Sequence, residues 1–152
     1  MLYLTLKWLH VLLAIVALGA NITYTFWIIR AKRNPDALSF TLRGVKLLDD
    51  RVANPAYGFL LITGIAMVLV SGLTFETPWI GISLLLFVIT ILVAALGYTP
   101  TLRKQIELAE GPGAESPEYL AMARRGMILG IVLTVLVVAM TYFMVVKPQL
   151  WT

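Results

Sequence analysis

The chain has no cysteine, a single histidine and few charges. Without cysteine there is no disulfide, no thiolate nucleophile and no cysteine-held metal, and the compartment stays open. Charged residues are 13% of the 152 residues, where a soluble domain carries roughly a quarter. So small a fraction cannot cover a water-facing surface. The sequence also has no glycine-rich phosphate cradle, no triad spacing and no proline in the middle of an apolar run. What it has is apolar: 60% hydrophobic residues and a mean hydropathy of +0.90. Lipid is the natural solvent for such a chain.

Four apolar runs follow one another, roughly Leu4–Ile29, Val52–Leu73, Trp79–Tyr98 and Gly126–Val146. Each is near the ~20 residues that cross ~30 Å of hydrocarbon. Backbone in lipid must satisfy its own hydrogen bonds, so each run is expected to be a helix. The first lacks a positive leading segment and is followed by Arg30, Lys32 and Arg33, which reads as a retained span rather than a signal peptide. The expected fold is all-α, an antiparallel bundle of four transmembrane helices forming one domain over residues 1–152.

A net charge of +4 can suggest nucleic acid, but the positions of the charges exclude it. Loop 30–51 holds Arg30, Lys32, Arg33, Arg43, Lys46 and Arg51, and loop 99–125 holds Arg103, Lys104, Arg124 and Arg125. Against these ten, six plus four, the other side has only Lys7 and Lys147. This asymmetry places both loops in the cytoplasm and both termini outside. Trp79 and Trp151 fall at the outer boundary, as interfacial aromatics do. Within the loops, Asn34-Pro35-Asp36 and Ser116-Pro117-Glu118 are helix starts, and Gly111-Pro112-Gly113 is a break. Leu38, Leu42, Val45 and Leu48 recur at near-helical spacing.

Helix 1 has the clearest inward face. Tyr3, Lys7, His10, Ala14, Ala17, Asn21 and Tyr24 form one stripe at alternating steps of four and three. Leu4, Val11, Leu12, Ile15, Leu18, Ile22 and Phe26 lie opposite. Polar groups in a span turn toward protein, so the stripe is expected inside. The corresponding stripes are Asn54, Tyr57, Leu61, Gly64, Val68 and Ser71 on helix 2, and Ser83, Phe87, Thr90, Ala94 and Gly97 on helix 3. Helix 4 offers Gly130, Thr134, Val137 and Thr141, with Gly126-x-x-x-Gly130 as a small-residue face for a second copy or a larger membrane complex.

His10 is expected ~9 Å below the outer surface, at 1.5 Å per residue. Met140 and Met144 on the antiparallel helix 4, and Met67 on helix 2, come to similar depth. One imidazole with thioethers is a soft set, suited to Cu(I) or to a haem axial pair. The bland alternative is a histidine bonded to a neighbouring hydroxyl or carbonyl among space-filling methionines. A ligating histidine needs an acceptor for its other nitrogen, and Ser83 or Thr141 is expected to supply it. A second polar group gathers Asn21, Tyr24, Arg51, Asn54 and Tyr57 near the cytoplasmic face, with Arg51 paired to Asp49 or Asp50. It reads either as a helix clamp or as an anion or headgroup site.

The opening Tyr3-Leu4-Thr5-Leu6-Lys7-Trp8-Leu9-His10-Val11-Leu12, the Ala17-Leu18-Gly19-Ala20 segment, Gly64 and the closing Phe143-Met144-Val145-Val146-Lys147-Pro148 resemble a family of predicted bacterial integral membrane proteins of unknown function. More distantly, Lys7-x-x-His10 is similar to the opening of the bacterial membrane haem protoporphyrinogen oxidase and of copper-resistance D-type proteins. In the oxidase, a helix 1 histidine works with a helix 3 lysine. His10 matches the first, but no lysine stands near Ser83. The resemblance therefore implies haem b or copper binding at His10, without the oxidase activity. Three functional classes follow: a small redox-linked haem or metal protein, an accessory subunit of a membrane complex or homo-oligomer, and a transporter. The transporter is weakest, since four helices make a narrow bundle with no span broken by proline.

Overall fold

A computed structural model describes residues 1–148, with the backbone alone at Pro35. Trp151, expected at the outer boundary, lies outside the described residues. Those residues form six α-helices: α1 Leu2–Ala31, α2 Pro35–Leu48, α3 Asn54–Ser71, α4 Pro78–Val93, α5 Thr99–Glu110 and α6 Pro117–Val146. Four helical rods are long and apolar enough to cross a membrane. Proline opens α2, α4 and α6 at the first helical position, where a missing N–H costs nothing. The Ser116 hydroxyl caps α6 by accepting from the Tyr119 N–H at 3.2 Å. Gly72 ends α3 in the left-handed region, at φ 73°.

The loops expected at 30–51 and 99–125 are mostly helix. Residues 36–71 and 78–110 run as continuous rods. The joints are π-helical turns, Asp49–Ala53 before Pro55 and Ala94–Tyr98 before Pro100. Proline lacks an N–H and its ring crowds the carbonyl four residues back. The wider π turn absorbs that crowding, so the rod continues instead of breaking.

The rods pack as two pairs. Within the membrane α1 lies on α3 and α4 lies on α6, and α1 also touches α6. The backbones of α3 and α4, though consecutive, do not approach each other. At the basic end α2 packs on α1 and α5, and α5 packs on α6. There Leu38, Leu42 and Val45 bury against Leu102, Leu108, Tyr24 and Tyr119. Leu48, expected on the same face, is exposed.

The α1 stripe is inward. Ala17 and Tyr24 are buried, and Tyr3, His10, Ala14 and Asn21 are half-buried. Lys7 is exposed, and Leu18, expected on the lipid face, is half-buried. Cysteines at Ala14 and Ala17 will resist a membrane-soluble thiol reagent, while cysteines at Ile15 and Ile22 will react. Equal labelling at all four would refute a single inward face.

Other stripes need correction. On α3 the buried positions are Ala56, Leu60, Thr63 and Val68, with Asn54 and Ser71 exposed and Tyr57, Leu61 and Gly64 half-buried. On α4, Ser83, Phe87 and Thr90 are buried as expected. On α6, Val137 is buried and Thr141 exposed. Gly126 faces α5 of its own chain, and only Gly130 has open space beside it. The small-residue face expected to receive a partner is thus partly used internally.

Candidate functional site

Because α3 and α4 stand apart, a cavity of about 340 Å³, open on one side, lies between the two helix pairs in the half away from the basic end. That is within the range of roughly 300–1,000 Å³ found for small-molecule sites. Its walls are almost wholly apolar. His10 supplies a polar atom, Ser83 lies in the wall with its hydroxyl sealed, Tyr57 and Phe87 line one end, and Met67, Met140 and Met144 bring three thioethers. The four residues singled out in the sequence for cofactor binding therefore share one cavity.

The tautomer of His10 follows from its neighbours. Its Nδ1 lies 2.8 Å from the Thr63 hydroxyl oxygen. That oxygen lies 2.7 Å from the Phe59 carbonyl oxygen. Two oxygens so close need a proton between them, and only Thr63 can supply it. The hydroxyl, having spent its proton, accepts from His10, so Nδ1 carries the hydrogen. Nε2 keeps its lone pair. It has no hydrogen-bond partner among the described residues and is not among the sealed polar atoms. It opens to the cavity that His10 lines.

Gly64 makes room for the ring. A Cβ at this position would lie 3.3 Å from His10 Cε1 and 3.8 Å from Nδ1. Gly64→Ala will shift the imidazole by a few tenths of an ångström and weaken any ligand bound at Nε2. Titration of the variant and wild type with that ligand checks this, and equal affinities would refute it.

Thr63 was not among the candidates in the sequence, and the expected acceptors do not serve. The Thr141 hydroxyl donates to the Val137 carbonyl at 2.9 Å. Ser83 is sealed, 1% exposed, and its hydroxyl has no partner. Helical hydroxyls elsewhere, at Thr63, Thr90, Thr134 and Thr141, return to the carbonyl four residues back. The buried Ser83 has no such bond, and it lines the cavity.

The second polar group is also rearranged. Asn21 Nδ2 donates to the Ala17 carbonyl at 3.0 Å and to the Tyr57 hydroxyl at 2.6 Å. Tyr24 is buried with its hydroxyl unpartnered. Arg51 and Asn54 are exposed, and Arg51 forms no ion pair among the described residues. Asp50 pairs with Lys46 instead. Asp49 is turned inward, 8% exposed. Burial pushes its carboxyl above the usual carboxylate range and Asp50 adds to the shift, while the charge of Lys46 and the Asn54 amide oppose it. A π turn that carries Asp49 inward leaves Arg51 on the outside, so the cluster has the opposite charge from the anion site expected.

Searches among curated proteins and among solved structures give no match. The distant likeness to haem oxidase and copper-resistance proteins gains no support from the comparisons. A family model described as "Predicted integral membrane protein (DUF2269)" matches residues 4–148. That match spans nearly the whole chain, every rod and both cavity walls included, and the chain belongs to this family of integral membrane proteins.

Proposed function

We propose that the protein holds a redox-active cofactor, haem b or copper, inside the membrane through His10. The observation that carries this is the imidazole itself. Thr63 holds Nδ1–H, so Nε2 offers a neutral lone pair to an apolar cavity. Met140, Met144 or Met67 provides a thioether as second ligand. Among the described residues no three His, Cys, Asp or Glu side chains gather as a metal site, so a metal here relies on imidazole and sulfur.

An absorption spectrum and metal analysis of the purified protein test the proposal. A Soret band is the expected result. A colourless, metal-free protein sinks it and favours the second reading, an accessory subunit. That reading draws on the open notch at Gly130 and on the apolar faces of all four rods.

We also infer that the basic end faces the cytoplasm of a bacterial inner membrane, with both termini outside. The ten-to-two charge asymmetry supports this. A reporter active only in the cytoplasm will work when inserted at Gly113 and be silent when fused at Thr152. The opposite pattern reverses the orientation.

A further inference from the structure

No charged side chain lines the cavity among the described residues. Its rim is apolar as well. Val11 and Ile15 of α1, Ile65 of α3 and Val145 of α6 line it and are exposed. An occupant with a charged group must keep that group at an end of the cavity, because a bare charge inside is too costly. The end away from the basic loops, the distal end, offers counter-charge.

Trp79 lines the cavity there, and Lys147 Nζ lies 4.9 Å from the centre of its ring. The backbone at Lys147 is unusual. It is the one non-glycine residue at positive φ among the described residues, at φ 51°. It ends α6 in a position that glycine normally fills. Strained backbone of this kind clusters where a side chain has to be placed. Here the ammonium is set against a cavity wall.

The spacing around it is repeated. Met144, a cavity-lining thioether, precedes Lys147 by three residues, and Lys7 precedes His10 by three. The first and fourth spans, α1 and α6, run in opposite directions and touch. Both lysines therefore lie on the distal side of their partners, about 4.5 Å further out at 1.5 Å per residue. Tyr3, Val11 and Ala14, four and seven residues from Lys7 on one face of α1, line the cavity. Glu76, in the link between α3 and α4, is the remaining charged side chain at this end, and the three leave a net positive charge. Two cations, each one turn out from a soft ligand, match an apolar ring with carboxylates along one edge.

We propose that Lys147 and Lys7 are carboxylate anchors, and that the occupant of the cavity is a porphyrin with two propionates, haem b, its charged edge at the distal end. This rests on the cofactor reading and selects between its two candidates, since a copper ion has no carboxylate to hold.

The test is titration of the purified full-length apoprotein in detergent with haem b and with the dimethyl ester of haem b, followed by Soret absorbance. The ratio of the two affinities is compared between proteins, so partition into detergent cancels. It should fall about fourfold or more from wild type to Lys7→Gln/Lys147→Gln, the loss of two exposed ion pairs. High salt should shrink the wild-type ratio toward that of the variant. Affinity for the ester should be the same in both proteins, which lysines serving only the fold would not allow. If the double variant does not fold, each single variant should lose about twofold. An unchanged ratio with the Soret band intact, in the double variant or in both single ones, overturns the anchors and leaves the cofactor at His10 standing. A wild-type protein that binds copper and neither porphyrin overturns the choice of haem, and one that binds none of the three overturns the cofactor reading too.

Discussion

The proposed cofactor will be lost from His10→Ala, and with it the Soret band expected of the purified wild-type protein. The size of the effect follows from the lack of any substitute. His10 is the chain's only histidine, and there is no cysteine. Thioethers alone hold haem poorly, because a neutral imidazole is the stronger donor. Thr63→Val should act more gently. It keeps the volume and removes the acceptor of the Nδ1–H, so the ring loses its fixed orientation and affinity falls by about 10–100-fold. Thr63→Ser restores the acceptor and should restore affinity. His10→Gln should fold like the wild type, since a glutamine amide can donate to Thr63 in a similar volume, but it will not hold the cofactor. A cofactor retained at full occupancy in both His10→Ala and His10→Gln places it elsewhere.

Gly126→Ala will destabilise the protein by about 1–3 kcal/mol, the usual cost of overpacking plus a lost buried hydrogen bond. The added Cβ would lie 2.3 Å from Gln105 Nε2, with Thr101 Cγ2 at 3.6 Å. Gln105 is 4% exposed and cannot swing into solvent. Moving it breaks its bond to the Met122 carbonyl at 3.2 Å. Gly126→Leu should be worse, separating α6 from α5 at the basic end. Gln105→Ala made together with Gly126→Ala should recover part of the loss, because the clash is specific to that amide. Thermal unfolding in detergent measures all three. A Gly126→Ala protein as stable as wild type would falsify the packing assigned to this glycine.

The spans were legible from hydropathy and charge because lipid imposes both. The helix starts at Pro35 and Pro117 were legible from local chemistry. What hid from the sequence was the effect of Pro55 and Pro100. Proline reads as punctuation, and nothing in composition says that a π turn will carry a helix through it. The error on α3 has another source. The stripe was drawn through its polar residues Asn54 and Tyr57, whereas the buried positions are Ala56, Leu60, Thr63 and Val68, one residue round the helix. Thr63 was missed for that reason. On α4 the polar Ser83 and Thr90 do lie on the buried face with Phe87, and the stripe was found directly. The grouping of His10 with three methionines was legible from depth alone, but the bond to Thr63 required the corrected face.

The pairing of helices has a consequence for how the chain is made. Each intramembrane pair joins neighbouring spans: α1 with α3, then α4 with α6. The first hairpin can close as soon as its second span leaves the ribosome, without waiting for the rest. The second hairpin assembles by the same local rule. Only then do the halves dock, through α1 on α6 and α2 on α5. The link between them, residues 72–77, holds no helix and opens with the left-handed Gly72. The molecule is thus built as two halves that meet late, and two separately synthesised pieces divided at that link carry all the contacts needed to find each other in a bilayer.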